Sequence, residues 1–155
     1  IIQKGEIVSF DTDMVGPYGY CADISRTYVE GNKFNENQKK LYLMAVEQIN
    51  YNSRLIKPGM SFKEFTEKSW VLPEEYYGNR YSVMVHGIGL CDEWPAIRYP
   101  TDCGERSGTF ETNMTITVES YIGKVGGKEG VKLEQQYLVG KNNLELMSHH
   151  PLEDI

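Results

Sequence analysis

Seven side chains in this sequence have the types and spacing to act as one chemical group. Asp11, Asp13 and Asp23 bracket a turn, His86 ends an apolar run, Asp92 closes the loop after it, and Glu119 and Glu134 sit in two late apolar stretches. Histidine is the commonest protein metal ligand, and Gly87 and Gly89 let backbone pass close to a crowded site. Taken alone, a histidine on an apolar strand reads as a hydrogen-bonded core residue, and three aspartates read as a solvated polar face. Taken together, acids converging on one side repel strongly unless a cation lies among them. Asp11, Asp13, Asp23, Glu119 and Glu134 with the His86 imidazole make a hard, oxygen-rich donor set. It suits two first-row transition ions bridged by carboxylates better than the thiolate sites of structural zinc. Such ions polarise a substrate oxygen and stabilise developing negative charge.

Strands must position these residues. Glu6 to Thr12 predicts a strand, and its alternation puts Asp11 and Asp13 on one side. Gly16-Pro17-Tyr18-Gly19 signals a turn, and a second strand from about Tyr20 to Tyr28 would return Asp23 to the level of Asp13. Asn35 to Lys57 predicts a helix, with an apolar stripe at Leu41, Ala45, Ile49 and Leu55-Ile56, Asn35 as cap and Pro58-Gly59 as stop. Ser61 to Glu64 has the capping-box form of a second helix reaching about Val71, and residues 73–79 read as a loop. Tyr81 to Val85 is the strand that delivers His86. Asp92 to Phe110 is rich in Pro, Gly and charge, which predicts a long ordered loop or lid. Thr115 to Tyr121 alternates, with Ile116 and Val118 facing one way and Thr117 and Glu119 the other. A turn-rich link over 123–130 leads to a final strand from Val131 to Val139, and residues 142–155 read as a polar tail or short helix.

At 155 residues the chain is one domain, large enough to bury a core. A formal charge of −6 with no basic stripe argues against a nucleic-acid partner. No apolar run approaches the roughly 20 residues of a membrane span. Cys21, Cys91 and Cys103, an odd number without metal-type spacing, point to reduced thiols and a cytoplasmic setting. A chain that begins on Ile1-Ile2 rather than methionine reads as a fragment or trimmed product.

Five blocks carry a resemblance: Phe10-Asp11-Thr12-Asp13, Tyr20 to Thr27 around Asp23, His86-Gly87-Ile88-Gly89-Leu90, Glu119, and Leu133-Glu134. In this order they resemble the metal motifs of the pita-bread superfamily, which includes creatinase, prolidase, Xaa-Pro aminopeptidase and methionine aminopeptidase. The resemblance covers nearly the whole chain. It implies an α+β pita-bread fold: a curved antiparallel sheet, outer helices and a dinuclear metal centre with Asp13, Asp23, His86, Glu119 and Glu134 as ligands. It also implies a homodimer in the full-length protein. On that comparison residues 1–155 are the C-terminal part of a catalytic metal-binding domain, with an N-terminal domain and the start of the catalytic domain outside this chain.

Three departures shape the functional expectation. Asp11 offers a further carboxylate, as a ligand or an outer acceptor. Nine residues separate Asp13 from Asp23, and eleven separate Asp11 from it, where the family usually has ten. Asp92 stands where the peptidases carry a second histidine that donates to substrate. An ionised aspartate accepts protons and repels an oxyanion, which disfavours peptide hydrolysis. Beside a dinuclear centre it is a candidate general base. With Glu93-Trp94-Pro95 following, the sequence resembles the dimethylsulfoniopropionate (DMSP) lyases of the superfamily. That resemblance implies a small-molecule substrate cleaved to acrylate and dimethyl sulfide, with iron the first choice of metal and manganese, zinc or cobalt as alternatives. Tyr81 and Trp94 are candidate contacts for the sulfonium cation through their aromatic faces; core packing is the competing role. A prolidase-like or Xaa-Pro aminopeptidase activity is the alternative function, and a binding module that has lost catalysis is a third.

Overall fold

The computed structural model describes residues 1–31, 33–104, 107–153 and 155. It is organised around a five-stranded antiparallel sheet in the order β6-β5-β7-β8-β9. These strands are β5 (Val83–Gly87), β6 (Ala96–Arg98), β7 (Thr115–Gly123), β8 (Gly130–Val139) and β9 (Leu144–Leu146). Before them come β1 (Ile7–Asp11), β2 (Met14–Val15), β3 (Cys21–Ala22) and β4 (Ser25–Val29). β1 pairs with β4 and β2 with β3, both antiparallel, so the four form one hairpin in two segments.

The sheet's two faces do different work. Helix α1 (Glu36–Leu55) covers one, burying Leu41, Ala45 and Ile49 in a cluster with Ile116, Val118, Ile122, Val131 and Leu133. Asn35 starts α1 with a capping box: its side chain accepts from the Gln38 N–H and the Gln38 side chain accepts from the Asn35 N–H, each at 2.9 Å. Helix α2 (Phe62–Lys68) begins at Ser61, whose hydroxyl accepts from the Glu64 N–H at 3.0 Å. Phe62 and Phe65 pack edge-on against Phe110, with ring centroids 5.0 and 5.7 Å apart. The β1–β4 hairpin lies over the opposite, polar face, where the Thr27 hydroxyl donates to the Lys132 carbonyl at 2.7 Å. Thr117, Glu119 and Glu134 on that face are therefore buried.

The structure departs from the sequence expectation at several element boundaries. The strand expected over Tyr20–Tyr28 breaks at Asp23-Ile24, because side chains take its ladder partners. The Asp23 N–H donates to Gln136 Oε1 at 3.3 Å and the Ile24 N–H to Thr12 Oγ1 at 3.0 Å. Helix α2 stops at Lys68 rather than Val71, where Ser69 turns extended and its hydroxyl donates to the Thr66 carbonyl at 3.1 Å. The loop at 73–79 contains a helical turn, α3 (Glu74–Tyr77), anchored by buried Tyr76. The 92–110 segment contributes β6 to the free edge of β5, and the tail contributes β9 to the free edge of β8. Both additions satisfy edge groups that would otherwise be open. Glu105, Arg106 and Asp154, which fall in the expected loop and tail, lie outside the described residues. Among the described residues no helix is long and apolar enough to cross a membrane.

Candidate metal centre

Strands β5, β7 and β8 build the deep half of the site. His86 on β5 is registered opposite Thr117 on β7, and Glu119 on β7 is directly opposite Glu134 on β8. Like charges directly opposite in an antiparallel pair are destabilising, and both carboxylates are at most 1% exposed. Such a pair needs positive charge beside it. His86 supplies part of it. Its Nδ1–H donates to the Gly87 carbonyl at 3.1 Å, which turns Nε2 toward the acids. Nε2 lies 3.1 Å from Glu134 Oε1, 3.7 Å from Asp23 Oδ2 and 3.8 Å from Glu119 Oε1.

The hairpin and the glycine loop build the outer half. Asp13 adopts φ 37°, so the strand's alternation ends before it, and its N–H donates to Asp23 Oδ1 at 3.4 Å. The Cys21 N–H donates to the Gly89 carbonyl at 2.7 Å, tying the hairpin to the loop that carries Asp92. Ligand atoms of Asp23, His86 and Glu134 lie within 4.8 Å of one another, as do those of Asp13, Asp23 and Asp92. Asp23 belongs to both groups and would take part in holding whatever ions they bind.

Electrostatics agree with the crowding. Burial, then the charge of Glu134, pushes Asp23 up to about 7, and the same two causes push Glu119 up to about 8. Burial works to lower His86, but the hydrogen bond to Glu134 and the charge of Glu119 outweigh it and raise the imidazole to about 9. Burial would raise Glu134, yet its contacts with His86 and Lys132 draw it down to about 2. Burial also raises Asp92. The site thus holds protons where a metal ion would replace them.

The residues fit a metal. Glu119 Oε1 is buried with no hydrogen-bond partner among the described residues, and it lies on the side of His86 Nε2. An unpartnered buried carboxylate oxygen costs free energy that a bound cation would offset. Oxygen donors with one imidazole match hard or borderline divalent ions.

Asp11 lies at the rim, its Oδ1 accepting from the Ser25 hydroxyl at 2.6 Å and its Oδ2 3.3 Å from Lys132 Nζ. Tyr81 precedes β5 rather than belonging to it; its hydroxyl donates to Glu93 Oε1 at 3.0 Å and its ring faces Lys132 Nζ at 4.6 Å. Trp94 is 61% exposed and lines an apolar cavity of about 370 Å³ with Tyr20, Leu90, Phe110 and Met114. Sequence reasoning missed Ser25, Glu93 and Lys132. For Lys132 the signal existed: it is two residues before Glu134 on a strand, hence on the same face.

Residues 1–141 match the model of metallopeptidase family M24. The chain is 39% identical to the dimethylsulfoniopropionate lyase DddP of Roseovarius nubinhibens, over 99% of this chain and 35% of that protein. It is 34% identical to the Xaa-Pro dipeptidase of Pyrococcus horikoshii, over 91% of this chain and 39% of that one. The solved prolidase from Pyrococcus horikoshii superposes with a TM-score of 0.79 at 27% identity, over 99% of this chain and 43% of that one. The chain therefore spans little more than a third of the length of these curated relatives. Its fold is the pita-bread fold of the prolidases.

Proposed function

We propose, from the premise that this chain belongs to metallopeptidase family M24, that it carries the catalytic centre of a DMSP lyase. The observation that carries the reading is Asp92, an acceptor-only carboxylate grouped with Asp13 and Asp23. The greater identity to DMSP lyases than to Xaa-Pro dipeptidases agrees with it.

Asp13, Asp23, His86, Glu119 and Glu134 would hold two ions, with Asp11 close by. Bound there, the metals would supply Lewis-acid chemistry that stabilises the charge developing on the substrate carboxylate. Asp92 takes the proton from the carbon next to that carboxylate. The freed electron pair becomes the carbon–carbon double bond of acrylate, the carbon–sulfur bond breaks with its pair going to sulfur, and neutral dimethyl sulfide leaves. Burial raises Asp92, which makes it a stronger base than a solvated aspartate. Tyr81 and Trp94 would face the sulfonium. One face of Tyr81 already meets the Lys132 ammonium, so the cation would use its other face or that of Trp94. Iron is the metal proposed, and a cytoplasmic homodimer the assembly.

The alternative is a prolidase-like hydrolase, favoured by the 34% identity to an Xaa-Pro dipeptidase. The test is headspace dimethyl sulfide from DMSP, using the intact protein loaded with iron or manganese beside Asp92→Ala. General-base removal lowers the rate about 10²–10⁴-fold while metal content stays. Absence of dimethyl sulfide together with cleavage of a proline dipeptide would overturn the lyase reading.

A further inference from the structure

Lys132 has no part in the chemistry above, yet its ammonium touches three of the site's acids. Its Nζ lies 2.6 Å from Glu119 Oε2, 3.3 Å from Asp11 Oδ2 and 3.6 Å from Glu134 Oε2. Lysine is almost never fully buried unless paired, and this one is 9% exposed. Which oxygens it takes matters more than how many. Glu119 and Glu134 each give Lys132 their Oε2, while the Oε1 of each faces His86 Nε2, at 3.8 and 3.1 Å. The ammonium therefore sits behind the two carboxylates, on the side away from the imidazole. It leaves the ligand side open instead of filling it.

Charge points the same way. Asp11, Asp13, Asp23, Asp92, Glu119 and Glu134 bring six negative charges when ionised. Two divalent ions cancel four of them, and Lys132 cancels one more. The backing is itself braced. The Ser25 hydroxyl reaches Asp11 Oδ1 at 2.6 Å and Glu134 Oε2 at 2.9 Å, and the Tyr81 ring covers Nζ. Having one proton, that hydroxyl donates to a single acceptor at a time, so it cannot hold both acids without the ammonium.

We propose that Lys132 is a positioning residue for the metal centre: it holds the outer oxygens of Glu119 and Glu134 so that their inner oxygens are presented together with His86 to an ion. The proposal rests on the metal-centre reading, and the test separates the two. Manganese is titrated calorimetrically into the metal-free intact protein, as wild type, Lys132→Met, Lys132→Gln and Lys132→Arg, with bound metal counted by mass spectrometry. Loss of an outer partner of metal ligands costs about 10–100-fold in affinity. That loss is expected for Met and Gln, with Arg recovering to within a few-fold because its guanidinium also bridges carboxylates. A packing role reverses the order, since Met keeps the apolar stem and Arg adds bulk. If the Met variant does not fold, the Gln and Arg pair makes the same comparison. Binding by Met or Gln as tight as wild type, or tighter, overturns the proposal. No manganese bound by the wild type overturns the metal-centre reading itself.

Discussion

Gly87→Ala tests how the loop that carries Asp92 is set, without touching a ligand. A methyl group on Gly87 would meet the backbone of Trp94, with the carbonyl carbon at 2.7 Å, and Pro95 Cδ at 2.8 Å. Carbon atoms pack at about 3.5–4.0 Å, so the shortfall is about 1 Å. The obstacle is backbone and a proline ring, so no flexible side chain can absorb it. His86 is fixed on β5 between β6 and β7, which leaves the loop as the part that moves. A catalytic group misplaced by about 1 Å costs on the order of 10²-fold in rate, equivalent to ~2.7 kcal/mol in the barrier. The assay is turnover of the metal-loaded intact protein, by dimethyl sulfide release or dipeptide cleavage, beside manganese affinity. Turnover is expected to fall about 100-fold, and the Kd for metal to stay within a few-fold because Asp23, His86 and Glu134 are held by the hairpin, β5 and β8 rather than by the 91–95 loop. Turnover within about threefold of wild type would refute the reasoning, since the 91–95 backbone would then be free to move without displacing the base.

Further predictions concern pH and packing. In the metal-free protein Asp23, Glu119 and His86 keep their protons up to about 7, 8 and 9. Metal ligands must be deprotonated, so manganese affinity should rise from pH 6 to 9 with protons released, as measured by calorimetry in buffers of different ionisation heat; a flat profile would contradict it. The same three groups have folded pKa values above their unfolded ones. The stability they confer on the metal-free protein is full below their ordinary values of 3.8, 4.5 and 6.5 and is lost as pH rises from there to about 7, 8 and 9. Glu134, drawn down to about 2, acts oppositely, with its contribution lost as pH falls below about 4. Urea midpoints of metal-free protein should therefore peak near about pH 4 to 4.5 and fall above it, and a maximum at pH 9 would show that the buried acids are not protonated. Phe110→Ala, removing a fully buried ring wedged against Phe62 and Phe65, should cost about 3–5 kcal/mol in urea unfolding; a loss under 1 kcal/mol would mean the cluster collapses to fill the space.

The sequence alone determined the candidate ligand types, the long helix and the two strands that carry Glu119 and Glu134. Those features are local: the stripe at Leu41, Ala45 and Ile49, the cap at Asn35, and the alternation from Ile116 to Glu119 follow from backbone periodicity. The metal motifs were legible through another route, the resemblance of five ordered blocks to those of the pita-bread superfamily. Other features lay beyond its reach. Asp13 reaches Asp23 by leaving the strand at φ 37°, and the strand after it breaks because Gln136, 113 residues away, captures the Asp23 N–H. Spacing puts Lys132 on the strand face of Glu134, but nothing in the sequence says what covers that face. Only the hairpin folded over that face makes it a buried countercharge. Periodicity says which side of a strand a residue occupies; what covers that side is decided by segments far away in the chain, and burial in turn sets the cost of an unpaired charge.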